Sequence, residues 1–455
     1  MAHAEAIGEL RALLGDRVST NDTVREHHSH DESFHLPVMP DAVVFAESTD
    51  DVVTVVRVCN AHRVPLVPFG AGTSLEANSN PIHGGISLDM SRMDKVLRIS
   101  GEDLDVTVQP GVRRKQLNEV LSGHGMFFPV DPGADATIGG MASTGASGTT
   151  TVKYGAMKQL VMALQVVTPT GEIITTSRRA RKTSAGYDLT HLFVGAEGTL
   201  GIITELTLRV FGIPEVTSAV TVQFPSVRDA VDSVIEVIQY GIDVARIELL
   251  DADAVSAVNK YSGTDLPVQT LLLLEFHGTA ESTSHSMDAV RSVFDRHGAS
   301  GFVRTTDEGE RRRLWQARHD ASIACRMLVP NSKSFATDVC VPISRLTECI
   351  EETQRDLAEH GVSGPIVGHV GDGNFHVVMS VDPQDTVNVH RCEEAHARLV
   401  MRALDMGGTC TGEHGIGTGK RAYLRTELGD GAVDVMATVK RALDPNGIMN
   451  PGKVV

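Results

Sequence analysis

Apolar positions change their spacing along the chain and so mark out elements before any chemistry is considered. Val43, Val44 and Phe45 form a short run that predicts a strand. Residues 49–62 carry Val52, Val55, Val56 and Cys59 at helical spacing, and residues 64–68 return to a strand-like run. A leading helix is predicted over residues 4–15. From 68 to 212 the chain is rich in Gly, Ala, Ser and Thr, with short β runs at 85–88, 105–109, 164–167, 172–175 and 202–209 set among small-residue loops. After Gly212-Ile213-Pro214 the texture changes: strands at 219–224 and 271–277 are each followed by a helix, at 227–240 and 281–297. A strand at 336–341 and a helix at 344–360 lead into a hairpin over 365–370 and 375–380, and a helix at 389–406 leads back to the C-terminal segment. The pattern predicts an α+β chain whose middle forms a separate cap.

At 455 residues the chain is too long for a single compact core. Forty-one basic against fifty-eight acidic residues give a net charge of −17, which repels phosphate backbones and anionic lipid, so nucleic acid is excluded as a partner. Six cysteines lie scattered with no CxxC pair, as in a reducing compartment. Residues 1–16 show no signal-peptide or presequence pattern, and no apolar run approaches the ~20 residues of a membrane span. A cytoplasmic protein is expected, with peripheral contact at the inner membrane and a homodimer left open.

Two segments concentrate chemistry. In Gly368-His369-Val370-Gly371-Asp372-Gly373-Asn374-Phe375-His376, Asp372-Gly373 signals a two-residue turn that would pair 371 with 374 and place His369 directly opposite His376. Opposed residues share a sheet face with Cβ atoms ~5 Å apart, close enough for two imidazoles to reach one divalent ion. Glu413, in Gly412-Glu413-His414-Gly415, would complete a two-nitrogen, one-carboxylate set with open positions for substrate. Adjacent Glu413 and His414 would diverge on a regular strand, so the flanking glycines predict an irregular turn. The bland alternative is a hairpin with two ordinary surface histidines and a surface acid. The His27, His28, His30 and His35 group reads as a solvated loop.

Gly70-Ala71-Gly72-Thr73-Ser74-Leu75 follows a strand, but Leu75 stands where a Rossmann fingerprint has its third glycine, and residues 76–81 are turn-formers rather than a helix. A nicotinamide site is thereby disfavoured. Small residues here and from Pro132 to Gly148 instead suit a pyrophosphate cradle built from backbone N–H groups, against the plain alternative of two ligand-free glycine loops.

Residues 68–75, Pro129-Val130-Asp131-Pro132-Gly133-Ala134, Gly145-Ala146-Ser147-Gly148, Glu197-Gly198-Thr199-Leu200-Gly201-Ile202, the hairpin, residues 408–417 and Asn450-Pro451-Gly452-Lys453 together resemble the FAD-linked oxidases of the vanillyl-alcohol oxidase superfamily. Ala245-Arg246-Ile247-Glu248 and residues 337–346 are most similar to its D-lactate dehydrogenase (cytochrome-type) branch. The resemblance covers the full length. It implies a PCMH-type FAD-binding domain of two α/β subdomains over residues 1–213, an α+β cap with an antiparallel sheet over 214–407, and a C-terminal return over 408–455 that completes the flavin site.

Family members with covalent flavin carry a histidine in the first glycine loop; none stands there in this chain, so non-covalent FAD is implied. FAD contacts map onto Pro68, Gly70, Ala71, Gly72, Thr73, Ser74, Leu75, Pro132, Thr137, Gly140, Thr144, Gly148, Glu197, Thr199, Ile203 and Asn450. The metal ligands map onto His369, His376 and Glu413, with zinc or manganese implied, the proton acceptor onto His414, and substrate contacts onto Arg318, Lys333 and Asn374.

The implied reaction is oxidation of a D-2-hydroxy acid, D-lactate to pyruvate, by hydride transfer to FAD. Electrons would then leave to a cytochrome, a quinone or an electron-transfer flavoprotein. D-2-hydroxyglutarate or glycolate would use the same residues. Two other classes, an ether-lipid-type FAD transferase and a non-catalytic oxidase subunit, fit the hairpin and the acid-histidine pair less well.

Overall fold

In a computed structural model, residues 2–329, 332–382 and 384–455 are described. The chain folds as two compact units, one of Met1–Ser147, Gly155–Ile213 and Glu413–Val455, the other of Gly148–Tyr154 and Pro214–Gly412.

The first unit holds two main sheets. In one, Ala42–Phe45, Ile86–Asp89 and Leu66–Phe69 run parallel, with Val18–Ser19 added antiparallel at the edge. The helix Thr49–His62 crosses over from Ala42–Phe45 to Leu66–Phe69, and the two strands flank Ile86–Asp89. Ser48 caps that helix through Asp51 N, and Asp51 caps back. Val52, Val55, Val56 and Cys59 pack on Val44, Leu66 and Ile86 beneath the leading helix Ala2–Leu14. The other sheet orders Val96–Ser100, Asp105–Val108, Ile202–Arg209, Val161–Val167 and Ile173–Thr175, antiparallel throughout.

Two elements escape the hydrophobic pattern. Residues 138–144, expected to be loop, form the helix Ile138–Thr144, capped by the Thr137 hydroxyl on Gly140 N. Glycine is a poor helix former, but a Cβ on Gly139 would lie 2.5 Å from Pro110 Cβ, so close packing demands it. The second is Arg421–Leu443, a long helix interrupted at Gly429, whose φ of 79° is left-handed.

The second unit is built on an eight-stranded antiparallel sheet ordered Ser300–Thr305, Val216–Phe224, Thr270–Gly278, Arg246–Leu250, Ile366–His369, Asn374–Val381 and Lys333–Ala336, with Val339–Cys340 also paired to Asn374–Val381. Ala252–Ser262, Glu308–His319 and Ala321–Arg326 cover one face, where Leu250, Leu271, Val367 and Val378 meet Trp315, Ala321 and Cys325. On the other face Leu357, from Leu346–His360, reaches Val377 and Met379 beside Gly364. No described helix is long and apolar enough to cross a membrane.

Candidate active site

The hairpin forms, but in a different register from the expected one. His369 pairs with Asn374 and His376 with Val367, so the turn has four residues, 370–373, rather than two. Asp372 N donates to His369 O at 3.0 Å, and Gly373 is left-handed at φ 82° with Val341 O only 2.2 Å from where a Cβ would stand. The register slips by two residues, and because side chains alternate with period two, the slip leaves both histidines on one face. Their rings meet edge-on with centroids 5.5 Å apart.

Each ring is held through Nδ1. His369 Nδ1 lies 2.7 Å from Glu248 Oε1, and His376 Nδ1 lies 2.8 Å from Thr337 O. An Nδ1–H aimed at a carbonyl or carboxylate places the lone pair of the neutral ring on Nε2, the arrangement a histidine ligand needs.

Glu248, on Arg246–Leu250, is 1% exposed and also holds Arg318, 7% exposed, from Glu308–His319. Arg318 Nε donates to Glu248 Oε2 at 2.8 Å; Nη2 lies 2.6 Å from the same oxygen but outside hydrogen-bond geometry, leaving a buried donor to be satisfied. Asn374 donates Nδ2 to Asp338 Oδ1 at 3.0 Å and to Val339 O at 2.8 Å, while its buried Oδ1 has no partner among the described residues. Arg318, His369, Asn374 and His376 thus come together on one side of the sheet.

Lys333 does not join them. It pairs with Val381, five residues from His376 along the strand, and an odd separation puts it on the opposite face. That face carries Phe335 against His396 of Thr386–Asp405.

Glu248 and Asp338 hold these side chains, and motif reading assigned neither a place in the site. Asp338, fully buried, also accepts from Thr411 Oγ1 at 2.8 Å, and its carbonyl accepts from Gly412 N at 3.1 Å. It therefore anchors the segment that leads by one peptide bond to Glu413.

In the first unit, residues 413–417 form the expected irregular turn, with Gly415 at φ 81° and Gly417 at φ 48°. The turn brings His414 Nε2 and Glu413 Oε1 to 4.0 Å, and Ser147 Oγ donates to Glu413 Oε2 at 2.6 Å. Glu197 holds the turn: Oε1 accepts from Ile416 N at 2.7 Å, and Oε2 from Gly417 N at 2.9 Å and Asn78 Nδ2 at 2.7 Å. Asn78 Nδ2 also reaches His414 O at 3.3 Å. Burial pushes the Glu197 carboxyl above the usual carboxylate range despite these donors. Its side chain, expected to contact cofactor, is thus committed to the loop that carries His414.

The two small-residue segments meet. A Cβ on Gly70 would lie 2.3 Å from Thr137 Oγ1, and Gly72 is left-handed at φ 67° beside the Phe69 ring. Thr144 Oγ1 bonds back to Gly140 O at 3.2 Å, and Thr199 Oγ1 to Ala196 O at 2.7 Å. Ile203 is buried on Ile202–Arg209. Asn450 Nδ2 donates to Asn78 O at 2.9 Å and Glu197 O at 2.7 Å, leaving Oδ1 buried with no partner among the described residues. Gly148 lies in the other unit, its N donating to Thr151 Oγ1 at 3.0 Å.

Residues 213–454 match the family model described as FAD linked oxidases, C-terminal domain, and residues 40–177 match that of the FAD binding domain. The chain belongs to the FAD-linked oxidases. It is 48% identical over 453 residues to a Danio rerio protein named a probable mitochondrial D-lactate dehydrogenase, covering 99% of this chain and 91% of that one. It is 42% identical over 453 residues to the Arabidopsis thaliana protein named D-lactate dehydrogenase [cytochrome], mitochondrial, covering 99% and 80%. Its fold is similar to that of p-cresol methylhydroxylase with substrate bound, at TM-score 0.83 and 19% identity over 99% and 96% of the two chains. That likeness concerns fold alone, and the fold is of the PCMH type.

An FAD-linked oxidase must cradle a pyrophosphate, and residues 70–75 fit. Among the described residues, none of their six backbone N–H groups donates to another protein group, and all six residues are half-buried. Six consecutive N–H groups without protein acceptors can turn towards an anion.

Proposed function

We propose that this FAD-linked oxidase oxidises a D-2-hydroxy acid to the 2-oxo acid, with D-lactate as the substrate and an external electron acceptor. The observation that carries this reading is the grouping on one sheet face of Arg318 with two histidines whose Nδ1 atoms are both fixed. Both relatives described above are named for D-lactate.

FAD when bound supplies the hydride acceptor, and a divalent ion, zinc or manganese, when bound supplies positive charge that acidifies the substrate hydroxyl. Arg318 offers its uncommitted N–H edge to the substrate carboxylate, a planar donor pair matched to a planar acceptor. Asn374, its Nδ2 fixed by two acceptors, lines the substrate side beside Arg318. His369 and His376, with Glu413, are the metal ligands in this reading. His414 accepts the hydroxyl proton; a positioned base is worth roughly 10²- to 10⁴-fold in rate. Residues 1–213 with 408–455 hold the flavin, and 214–407 bind the acid. Lys333 has no part, because it faces away from Arg318.

D-2-hydroxyglutarate and glycolate present the same hydroxy-carboxylate and form the second reading. The Arabidopsis relative's name includes the word cytochrome; for this chain a cytochrome is proposed as acceptor ahead of a quinone or an electron-transfer flavoprotein. Cytoplasmic residence is likewise a proposal, checked by cell fractionation, since both relatives are named as mitochondrial.

The test is anaerobic mixing of the purified flavoprotein with D-lactate, L-lactate, glycolate and D-2-hydroxyglutarate in turn, with and without chelator, following the visible flavin band. Fast bleaching by D-lactate that chelator abolishes and metal restores is expected. Bleaching by none of the four would refute the hydroxy-acid assignment.

A further inference from the structure

We infer that Glu248 is a positioning residue that sets the spacing between the carboxylate clamp and the hydroxyl side of the site; this rests on the function proposed above. Its two oxygens are divided between two partners from different elements. Oε1 takes His369 Nδ1 at 2.7 Å and Oε2 takes Arg318 Nε at 2.8 Å. The partners lie 121 and 70 residues away in sequence, on the hairpin strand Ile366–His369 and the helix Glu308–His319. The carboxylate is anchored from below by its own strand, where Leu249 pairs with Gly368 and Glu248 with Leu273.

At 1% exposure the carboxylate has no solvent to turn towards, so rotation to favour one partner breaks the bond to the other. The guanidinium and the imidazole are therefore fixed to one rigid planar group. A 2-hydroxy acid carries its carboxylate and hydroxyl on adjacent carbons, so the groups that bind them must be held at one short, fixed spacing. A 3-hydroxy acid needs a longer one. Glu248 supplies that gauge, and through His369 Nδ1 it also fixes the tautomer with the lone pair on Nε2.

The experiment compares wild type, Glu248→Gln and Glu248→Asp as FAD-loaded proteins. Zinc and manganese affinities are measured by calorimetry, KM and kcat with D-lactate and with D-3-hydroxybutyrate, and thermal midpoints by circular dichroism. Gln keeps the shape and loses the charge; Asp keeps the charge but is one methylene short of reaching both partners, and gives the same test if the Gln variant does not fold. Metal affinity is expected to fall roughly 10- to 100-fold, as for other groups that orient a metal-binding histidine. KM for D-lactate is expected to rise roughly tenfold or more, and the preference for the 2-hydroxy over the 3-hydroxy acid to narrow in the Asp variant.

A drop in thermal midpoint with metal affinity, KM and preference within twofold of wild type would show a structural carboxylate and overturn the inference alone. A wild-type protein that binds neither metal and is bleached by no 2-hydroxy acid would overturn the underlying reading, and this inference with it.

Discussion

Glu197→Gln tests whether one buried carboxylate holds the loop that carries His414. The carboxylate accepts three hydrogen bonds, from Ile416 N, Gly417 N and Asn78 Nδ2, at 2.7–2.9 Å. Glutamine has one acceptor oxygen. Placed at the Oε2 position, it keeps Gly417 and Asn78 as weaker neutral bonds, and its NH₂ then confronts the N–H of Ile416. Losing one charge-assisted bond costs about 1.5–3 kcal/mol, and weakening two others adds about 1 kcal/mol.

Relief of carboxylate burial, the cause of the raised Glu197 pKa, works the other way and leaves about 2–3 kcal/mol of net destabilisation. At roughly 2 °C per kcal/mol for a unit of this size, the thermal midpoint should fall by about 4–6 °C. Hydrogen exchange followed by mass spectrometry should show faster exchange in a peptide covering residues 412–420. Asn78 also reaches His414 O, so flavin reduction by D-lactate should slow by roughly tenfold. A thermal midpoint within 1 °C of wild type, together with unchanged exchange in that peptide, would refute the assignment.

Further outcomes follow from individual residues. His376→Ala should lower the bound zinc or manganese measured by elemental analysis and slow flavin bleaching by roughly 10²-fold or more, with FAD content unchanged. Gly70→Val should lower FAD occupancy, read from the ratio of visible to ultraviolet absorbance, because Thr137 Oγ1 stands 2.3 Å from where a Cβ would be placed. Arg318→Lys should raise KM for D-lactate by roughly tenfold or more, since an ammonium cannot bind Glu248 and a substrate carboxylate with one planar group. Burial alone would raise the Glu275 carboxyl, yet Arg246, His277 and Arg311 together hold it down at about 2 against an ordinary 4.5. A depressed carboxylate stabilises above its unfolded value and stops doing so as pH falls through the folded one. Glu275 should thus contribute about 3 kcal/mol at pH 7 that is lost between pH 5 and 2, and urea unfolding of Glu275→Gln should lack that part of the acid dependence.

Much of the architecture was legible in short windows of sequence. The helix Thr49–His62 was readable because its apolar spacing and capping residues act within a few positions of one another. The hairpin was readable because Asp372-Gly373 specifies a reversal, and the irregular turn at Glu413 and His414 because glycines flank both. The shared face of His369 and His376 survived an error in register only because the slip was even.

What the tertiary structure decided lies beyond such windows. Val341 O leaves no room for a Cβ at Gly373, nor Pro110 at Gly139; both contacts come from distant chain, which local propensity does not see. The odd offset of Lys333 from His376 followed from a strand pairing between segments distant in the chain. Glu248 stands in a stretch that carries the family resemblance, but the sequence gives its carboxylate no partner. Only folding brings Arg318 and His369 to its two oxygens, because burial of an acid is tolerated where partners converge on it, and that convergence is a property of the packed sheet and not of any segment.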